Sequence, residues 1–382
     1  VEALTPSSSA SSARSQRLLV LLFCGFLAAP ALDMLVRPAR ARGPEIEGRA
    51  ATPFPEWRAA LRERSNYPRR FDQAFADALG LRDVLLRWHH WARFELLNIA
   101  PAPVLLGKQR WMFYTFEHSL ENWRGLYPMD EPLLKAWQGV IESRRDCARA
   151  HGAEYLFVIG PNKESIYPDF LPEGFEPLGP TRLDQLRAWM QAHSDIAPVD
   201  LRPRLRAARS LDTPEHHLYY EEGSHWQGLG CVAAADEIFK RLTPKFPAIG
   251  KVPETPWRIV SGWPAETWRP KMYLTVPRTL LRDDPFVPED TRRAVHLGDD
   301  WLAKVQRFEQ RVPAPELPSV LMFHDSFGTG VHKLLAERFS RLTAVAAPGI
   351  DVKMLEEEKP ALVIDLYVER VLTTILPEAP RK

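Results

Sequence analysis

A serine hydroxyl is a weak nucleophile until a base takes its proton and an oxyanion site receives the developing charge. In this 382-residue chain Ser326 stands where both could be supplied. It lies three residues beyond the apolar run SVLMF at 319–323. Gly328 and Gly330 permit a tight turn into a helix whose first amides and positive dipole end would face the serine. A plainer reading of the same segment is a helix cap, with Asp325 or Ser326 closing the helix that starts near Val331. The base would be His225, in Ser224-His225-Trp226 after the stretch LYYEEG at 218–223. A histidine in such a loop serves structure as readily as chemistry, so it is the pairing with Ser326 that points to acyl transfer.

Other chemistries find less support. Cys24, Cys147 and Cys231 include no Cys-x-x-Cys pair, and no His-Glu-x-x-His cluster occurs, so no metal and no bound cofactor are expected. Cys24 sits in an apolar run, which leaves Cys147 and Cys231 as the one disulfide pair to consider. His216 and His217 are adjacent, as suits a loop. Fifty Lys and Arg against 49 Asp and Glu provide no basic excess, so nucleic acid is not an expected partner. Thirty-five prolines, mostly between apolar runs, indicate long ordered loops, and twelve tryptophans suit sugar faces as well as cores.

The elements that must position the serine and histidine read as an α/β domain. Residues 18–32 are uncharged and apolar, behind Arg14, Arg17 and a Ser-rich leader, the layout of a secretory signal or an uncleaved signal anchor. Ala-Pro-Ala at 29–31 is a weak cleavage site, and the anchor is the preferred reading. Arg37, Arg40 and Arg42 follow the run, so the count of positive charges does not by itself set an outward orientation. The expected organisation is a leader and anchor over 1–37, a linker over 38–55, and one domain over 56–382. That domain begins with helices whose apolar residues recur from Phe71 to Trp88, broken at Gly80. Helices are then expected over 132–150, 181–192, 229–242 and 331–339, and strands over 155–159, 198–201, 319–323 and 361–365. The Pro- and Trp-rich insertion 244–318 promises little regular structure beyond short strands. Strands alternating with helices predict a mostly parallel central sheet with a helical layer on each face, and reactive groups gather at the carboxyl ends of such strands.

In order along the chain, the segments GLRDVLLRWHHW, LLGKQRWMFY, PNKESIYPDFLP, VDLRPRL, LYYEEGSHW, SVLMFHDSFGTG and EKPALVIDLYVERVL resemble the SGNH hydrolase-like domain of alginate O-acetyltransferases of the AlgJ and AlgX type. The resemblance runs from about Phe71 to Leu372. It implies an SGNH-like three-layer sandwich on the periplasmic side of the inner membrane, or in the periplasm if the signal is cleaved. It also implies O-acetylation of an exopolysaccharide, with acetyl groups supplied by a membrane-bound acyltransferase. By matching position His225 is the base and Ser326 the nucleophile.

One departure bears on activity. The family's aspartate, two residues before the histidine, falls on Gly223. Neutralising the orienting acid of a serine triad costs roughly 10⁴ in rate, about 5 kcal/mol. Glu222 is the nearest replacement and reaches His225 only if Gly223 bends the chain, while Glu221 is about 13 Å of extended chain away. A Ser-His dyad, a carboxylate from elsewhere, and an inactive site that binds polysaccharide or scaffolds a complex are the alternatives. An acetylesterase, with water as acceptor, is a further one. Trp226, Lys163 and His332 are expected as substrate-binding residues, against packing, a solvated charge and surface exposure respectively, and Asn162 as an oxyanion donor by its nearness to a strand end.

Overall fold

The computed structural model describes residues 9–36, 50–62, 65–214, 216–254, 257–264, 267–272, 274, 281–286, 292–300 and 304–374. The chain divides into two compact units, residues 1–101 with 269–276, and residues 102–268 with 277–382.

The first unit is helical. Its helix α1 (Ser9–Val36) contains a stretch, Ser15–Val36, that is long and apolar enough to cross a membrane. Most of the expected linker, residues 38–49, lies outside the described residues. Three further helices follow: α2 (Ala59–Arg62), α3 (Tyr67–Ala78) and α4 (Arg82–Trp91), which runs into a π-helical turn at Ala92–Leu96. The break at Gly80 is where the sequence puts it, and packing explains why glycine is there: a Cβ would stand 2.0 Å from the Pro30 carbonyl oxygen of α1.

The second unit holds the sheet. A short hairpin, β1 (Val104–Leu106) and β2 (Met112–Tyr114), leads to α5 (Ser119–Trp123) and α6 (Glu131–Ala150). Then come β3 (Glu154–Gly160), α7 (Lys163–Ile166), α8 (Arg182–His193), β4 (Val199–Asp200) and α9 (Arg202–Ala208). After the histidine loop follow α10 (Gly228–Leu242), α11 (Pro247–Lys251), β5 (Arg258–Pro264), β6 (Leu281–Phe286), β7 (Ala294–Asp300) and β8 (Val305–Gln310). The chain then forms β9 (Ser319–His324), α12 (Gly328–Leu335), β10 (Arg341–Val345), α13 (Val352–Glu358), β11 (Leu362–Val368) and α14 (Val371–Thr374).

Seven strands make the main sheet in the order β4-β3-β11-β9-β10-β8-β7. The first five run parallel, and β8 and β7 add an antiparallel edge. This is the α/β fold with a mostly parallel sheet that the alternating strands and helices predict. Side chains alternate across it, as strand geometry requires. Val320 and Met322 of β9 join one core with Phe327, Val331 and Ala234, while Leu321 and Phe323 join the other with Trp137, Ile141 and Phe157. Near-continuous burial of β9 and β11 is what a parallel sheet covered on both faces demands. Asp365 breaks that apolar run at 0% exposure, and is matched by Arg144 of α6 at 2.6 Å and the Tyr155 hydroxyl at 2.7 Å.

The structure adds to the expected elements. Among the described residues the insertion 244–318 contains α11 and four strands, two of which extend the main sheet, and β10 was not foreseen. Cys147 and Cys231 belong to opposite cores and do not pair as a disulfide.

Candidate functional site

β9 is a central strand between β11 and β10, and its carboxyl end delivers the turn His324-Asp325-Ser326-Phe327 into α12. Asp325 builds this turn. One carboxylate oxygen accepts from the Phe327 amide at 2.8 Å, an Asx turn, and the other accepts from the Val368 amide of β11 at 2.7 Å. The Asp325 carbonyl accepts from the Gly328 amide at 3.0 Å. Burial raises the Asp325 pKa, while those two amides oppose the shift. Gly328 and Gly330 serve close approach: a Cβ at Gly328 would meet the His324 side chain at 2.3 Å, and one at Gly330 would meet Cys231 Sγ of α10 at 2.6 Å. Ser326 is left exposed, and its amide makes no hydrogen bond among the described residues.

The histidine loop is a hairpin-like excursion held at both ends. Gln227 N donates to the Leu218 carbonyl at 2.7 Å, Tyr220 N donates to the His225 carbonyl at 3.1 Å, and Tyr219 bridges Trp226. The Tyr219 hydroxyl donates to the Pro161 carbonyl at 2.6 Å, which ties the loop to the end of β3. His225 Nε2 lies 2.7 Å from Ser326 Oγ, within hydrogen-bond reach although the two residues are 101 apart in sequence. Folding thus brings together the two groups that the sequence picks out for chemistry.

The remaining expected residues fall elsewhere. Trp226 is 4% exposed; its Nε1 donates to the Phe327 carbonyl at 3.0 Å and its ring packs on Phe327 at 4.8 Å, so it fastens the histidine loop to the serine turn from beneath. Gly160, where a Cβ would come within 3.0 Å of the indole, leaves room for that ring. Lys163 is 2% exposed, not solvated, and its ammonium donates to the carbonyls of Tyr220, Glu221 and Gly223 at 2.9, 3.0 and 2.6 Å. Three N–H donors meeting three carbonyls is the full capacity of a lysine, and they fix the segment that leads into His225. His332 is 3% exposed, with Nδ1 2.9 Å from the Gly328 carbonyl and its ring stacked on His324 at 5.6 Å. Burial drives its pKa down to about 3, the mark of a neutral core histidine. It does not line the cleft beside Ser326.

Asn162 is also committed. Its amide N–H donates to Glu369, its side-chain nitrogen donates to Ser119 Oγ at 3.0 Å, and its side-chain oxygen accepts from Arg370 at 3.4 Å. Glu222 is 5% exposed, and its carboxylate accepts from the Thr267 hydroxyl at 2.6 Å while its carbonyl accepts from the Trp268 amide at 3.0 Å.

Sequence reasoning missed the walls of the site. Ser326 opens on a cleft of about 370 Å³ whose lining includes Glu117, Lys304, Tyr367 and Arg370. Arg370, two residues beyond β11, pairs with Glu117 at 2.8 Å and lies over the rings of Tyr114 and Phe327. A cation just past the strand next to β9 is a signal that could have been read, since such loops converge at one end of a parallel sheet. Behind the cleft, Glu369 is fully buried, accepts from Ser165 Oγ at 2.7 Å, and has its pKa raised by burial. Glu164, also buried and bonded to Ser119 Oγ, is pushed up to about 7 by desolvation.

Residues 104–267 match a family model described as SGNH hydrolase-like domain, acetyltransferase AlgX. The match includes the His225 loop and ends before Ser326. A curated relative, the probable alginate O-acetylase AlgJ of Pseudomonas fluorescens, is 26% identical over 222 residues, 56% of this chain and 53% of that protein. The aligned stretch thus spans about half of that relative's length. Among solved structures, Bacillus cereus PatB1 with a sulfonyl adduct is similar with a TM-score of 0.54 at 12% identity, over 73% of this chain and 98% of that one. The O-acetyltransferase domain of Pseudomonas putida AlgJ aligns over 71% of this chain and 93% of its own, at 17% identity and a TM-score of 0.45. The likeness in fold rests on the first of these two.

Proposed function

We propose that this chain, a member of the AlgJ/AlgX family of SGNH hydrolase-like proteins, is an O-acetyltransferase which carries an acetyl group on Ser326 to hydroxyls of an alginate-like exopolysaccharide. The observation that carries this reading is the 2.7 Å approach of His225 Nε2 to Ser326 Oγ at the carboxyl end of a central parallel strand.

In the first half-reaction His225 Nε2 takes the Ser326 proton as Oγ bonds to the acetyl carbon. The Ser326 amide and the first turn of α12 receive the oxyanion, and His225 returns the proton to the departing donor oxygen. In the second half, a sugar hydroxyl gives its proton to His225 Nε2 and attacks the same carbonyl carbon, and Oγ leaves with that proton. Lys163 and Trp226 act as positioning residues, the first by fixing the loop before His225 and the second by joining that loop to the serine turn. Glu222 is the orienting carboxylate of the proposal, in place of the aspartate that Gly223 lacks. The acetyl donor is a membrane-bound acyltransferase, and α1 holds the domain at the inner membrane on its periplasmic side.

The test uses the full chain with an activated acetyl ester and uronate oligosaccharides. Ester-linked acetate on the oligosaccharide, absent in Ser326→Ala, is the expected product. Free acetate alone would make the protein an esterase, and no turnover at all would favour the second reading that Gly223 motivates, a catalytically silent polysaccharide binder.

A further inference from the structure

The first unit presents an apolar face that its own fold does not cover. Helix α4 contains no buried residue, yet it carries Val84, Leu85, Trp88 and Trp91, of which Trp88 is 64% exposed. Val84, Trp88 and Trp91 recur at four and three residues and so share one helix face. Phe71 and Phe75 of α3, four apart and stacked at 6.3 Å, are exposed as well, and Leu96 at the end of the π-helical turn and Leu97 just after it are 68% and 62% exposed. Scattered surface leucines need no explanation, but tryptophan, phenylalanine and leucine exposed together along two successive helices do.

Its placement against α1 indicates what covers it. The Ser15–Val36 stretch of α1, 22 residues, is about 33 Å long at 1.5 Å per residue, the thickness of a hydrocarbon core. Asp33 is the acidic residue that ends the uncharged run, and its carboxylate accepts from the Leu81 amide at 2.9 Å. Leu81 has φ of 57°, a left-handed conformation that costs a leucine energy and persists only where surroundings enforce it. Gly80 rests on the Pro30 carbonyl, with no room for a Cβ. The corner between α3 and α4 is therefore built onto the last turns of α1. If α1 crosses a membrane, that corner stands at the boundary between acyl chains and headgroups, the level at which tryptophan is enriched.

We propose that the exposed face of α3, α4 and the following turn lies in the lipid interface of the same bilayer that α1 spans. Its occupant is the phospholipid headgroup and upper acyl layer, and the first unit is a monotopic foot as well as an anchor. The proposal rests on α1 being a membrane span and is independent of the acyl-transfer chemistry. It would hold even if Ser326 proved inert.

The test places benzoylphenylalanine singly at Phe75, Trp88 or Leu96 in the full chain, reconstituted in lipid nanodiscs of phosphatidylethanolamine and phosphatidylglycerol. These side chains are exposed, so the replacements remove little packing, and three separate positions guard against one that misfolds. Irradiation should yield a phospholipid adduct at each position, about tenfold above that at Lys135, an exposed residue of α6. No lipid adduct at any of the three, or a cross-link to a second copy of the chain in its place, would overturn the proposal.

Discussion

Replacing Lys163 with methionine isolates what a buried charge does for the histidine loop. Met keeps the straight aliphatic stem beside Trp111 and Phe113, over which the ammonium sits at 5.5 and 5.1 Å, and removes the donors to the carbonyls of Tyr220, Glu221 and Gly223. Hydrogen bonds from a charged donor are worth about 1.5–3 kcal/mol each, and their sum is reduced where water can reach the orphaned carbonyls. The loop is therefore expected to lose about 3–4 kcal/mol of its hold on His225, which corresponds to a roughly 10²- to 10³-fold slower acetylation of Ser326. The assay is the single-turnover rate with an acetyl ester, set beside the denaturation midpoint of the same sample. A positioning role predicts a fall in the rate of chemistry with KM for the ester little changed, and a rate loss larger than the unfolded fraction accounts for. Wild-type rates in Lys163→Met, or a loss that follows global unfolding alone, would refute this reasoning.

Other outcomes follow from the same geometry. Glu164 is buried with its pKa raised from 4.5 to about 7, so the folded state holds a proton that the unfolded chain releases. Its stabilising contribution is complete below about pH 4.5 and is lost as pH rises through about 7, a span on the order of 3 kcal/mol. Glu164→Gln should flatten stability between pH 5 and pH 8 in urea titrations, and an unchanged slope would contradict it. Arg144→Met strands the fully buried Asp365 and should cost about 3–5 kcal/mol, with most of it recovered on adding Asp365→Leu, as measured by chemical denaturation. Gly223→Asp restores a carboxylate two residues before His225 and should speed Ser326 acetylation about tenfold or more over an already active wild type; activity confined to the variant would mean that the natural chain is a binder. Glu222→Gln should slow the same step by about 10²-fold or more if that carboxylate orients the imidazole, and a wild-type rate would release it from the role.

The parallel core was legible because its strands are short, apolar and separated by amphipathic helices. Strands β3, β9 and β11 fall within one to three residues of the runs that predict them. β10, RLTAV, escaped because it has one basic and one hydroxyl residue in five and no glycine or proline before it, and β7 carries His296, Asp299 and Asp300 on an edge where period-2 alternation is interrupted by a bulge. The pairing of Ser326 with His225 was legible only through motif order, since nothing in the spacing of residues 101 apart specifies contact. Lys163 and Trp226 were legible as candidates, but their hydrogen-bond partners were not. A lysine next to a strand end looks like a ligand for substrate until its three carbonyl partners, all more than 50 residues away, are seen. His332 lies six residues beyond Ser326, but the α12 face it occupies is buried.

Acylation of Ser326 through activation by His225 is the step on which the proposed transferase depends. Incubating the full chain with an activated acetyl ester, quenching in acid and mapping peptides by mass spectrometry reads this directly. One acetyl group is expected on the peptide containing Ser326, retained at low pH and lost in both Ser326→Ala and His225→Ala. Acetylation confined to other residues, or equal labelling of Ser326 when His225 is alanine, would contradict it.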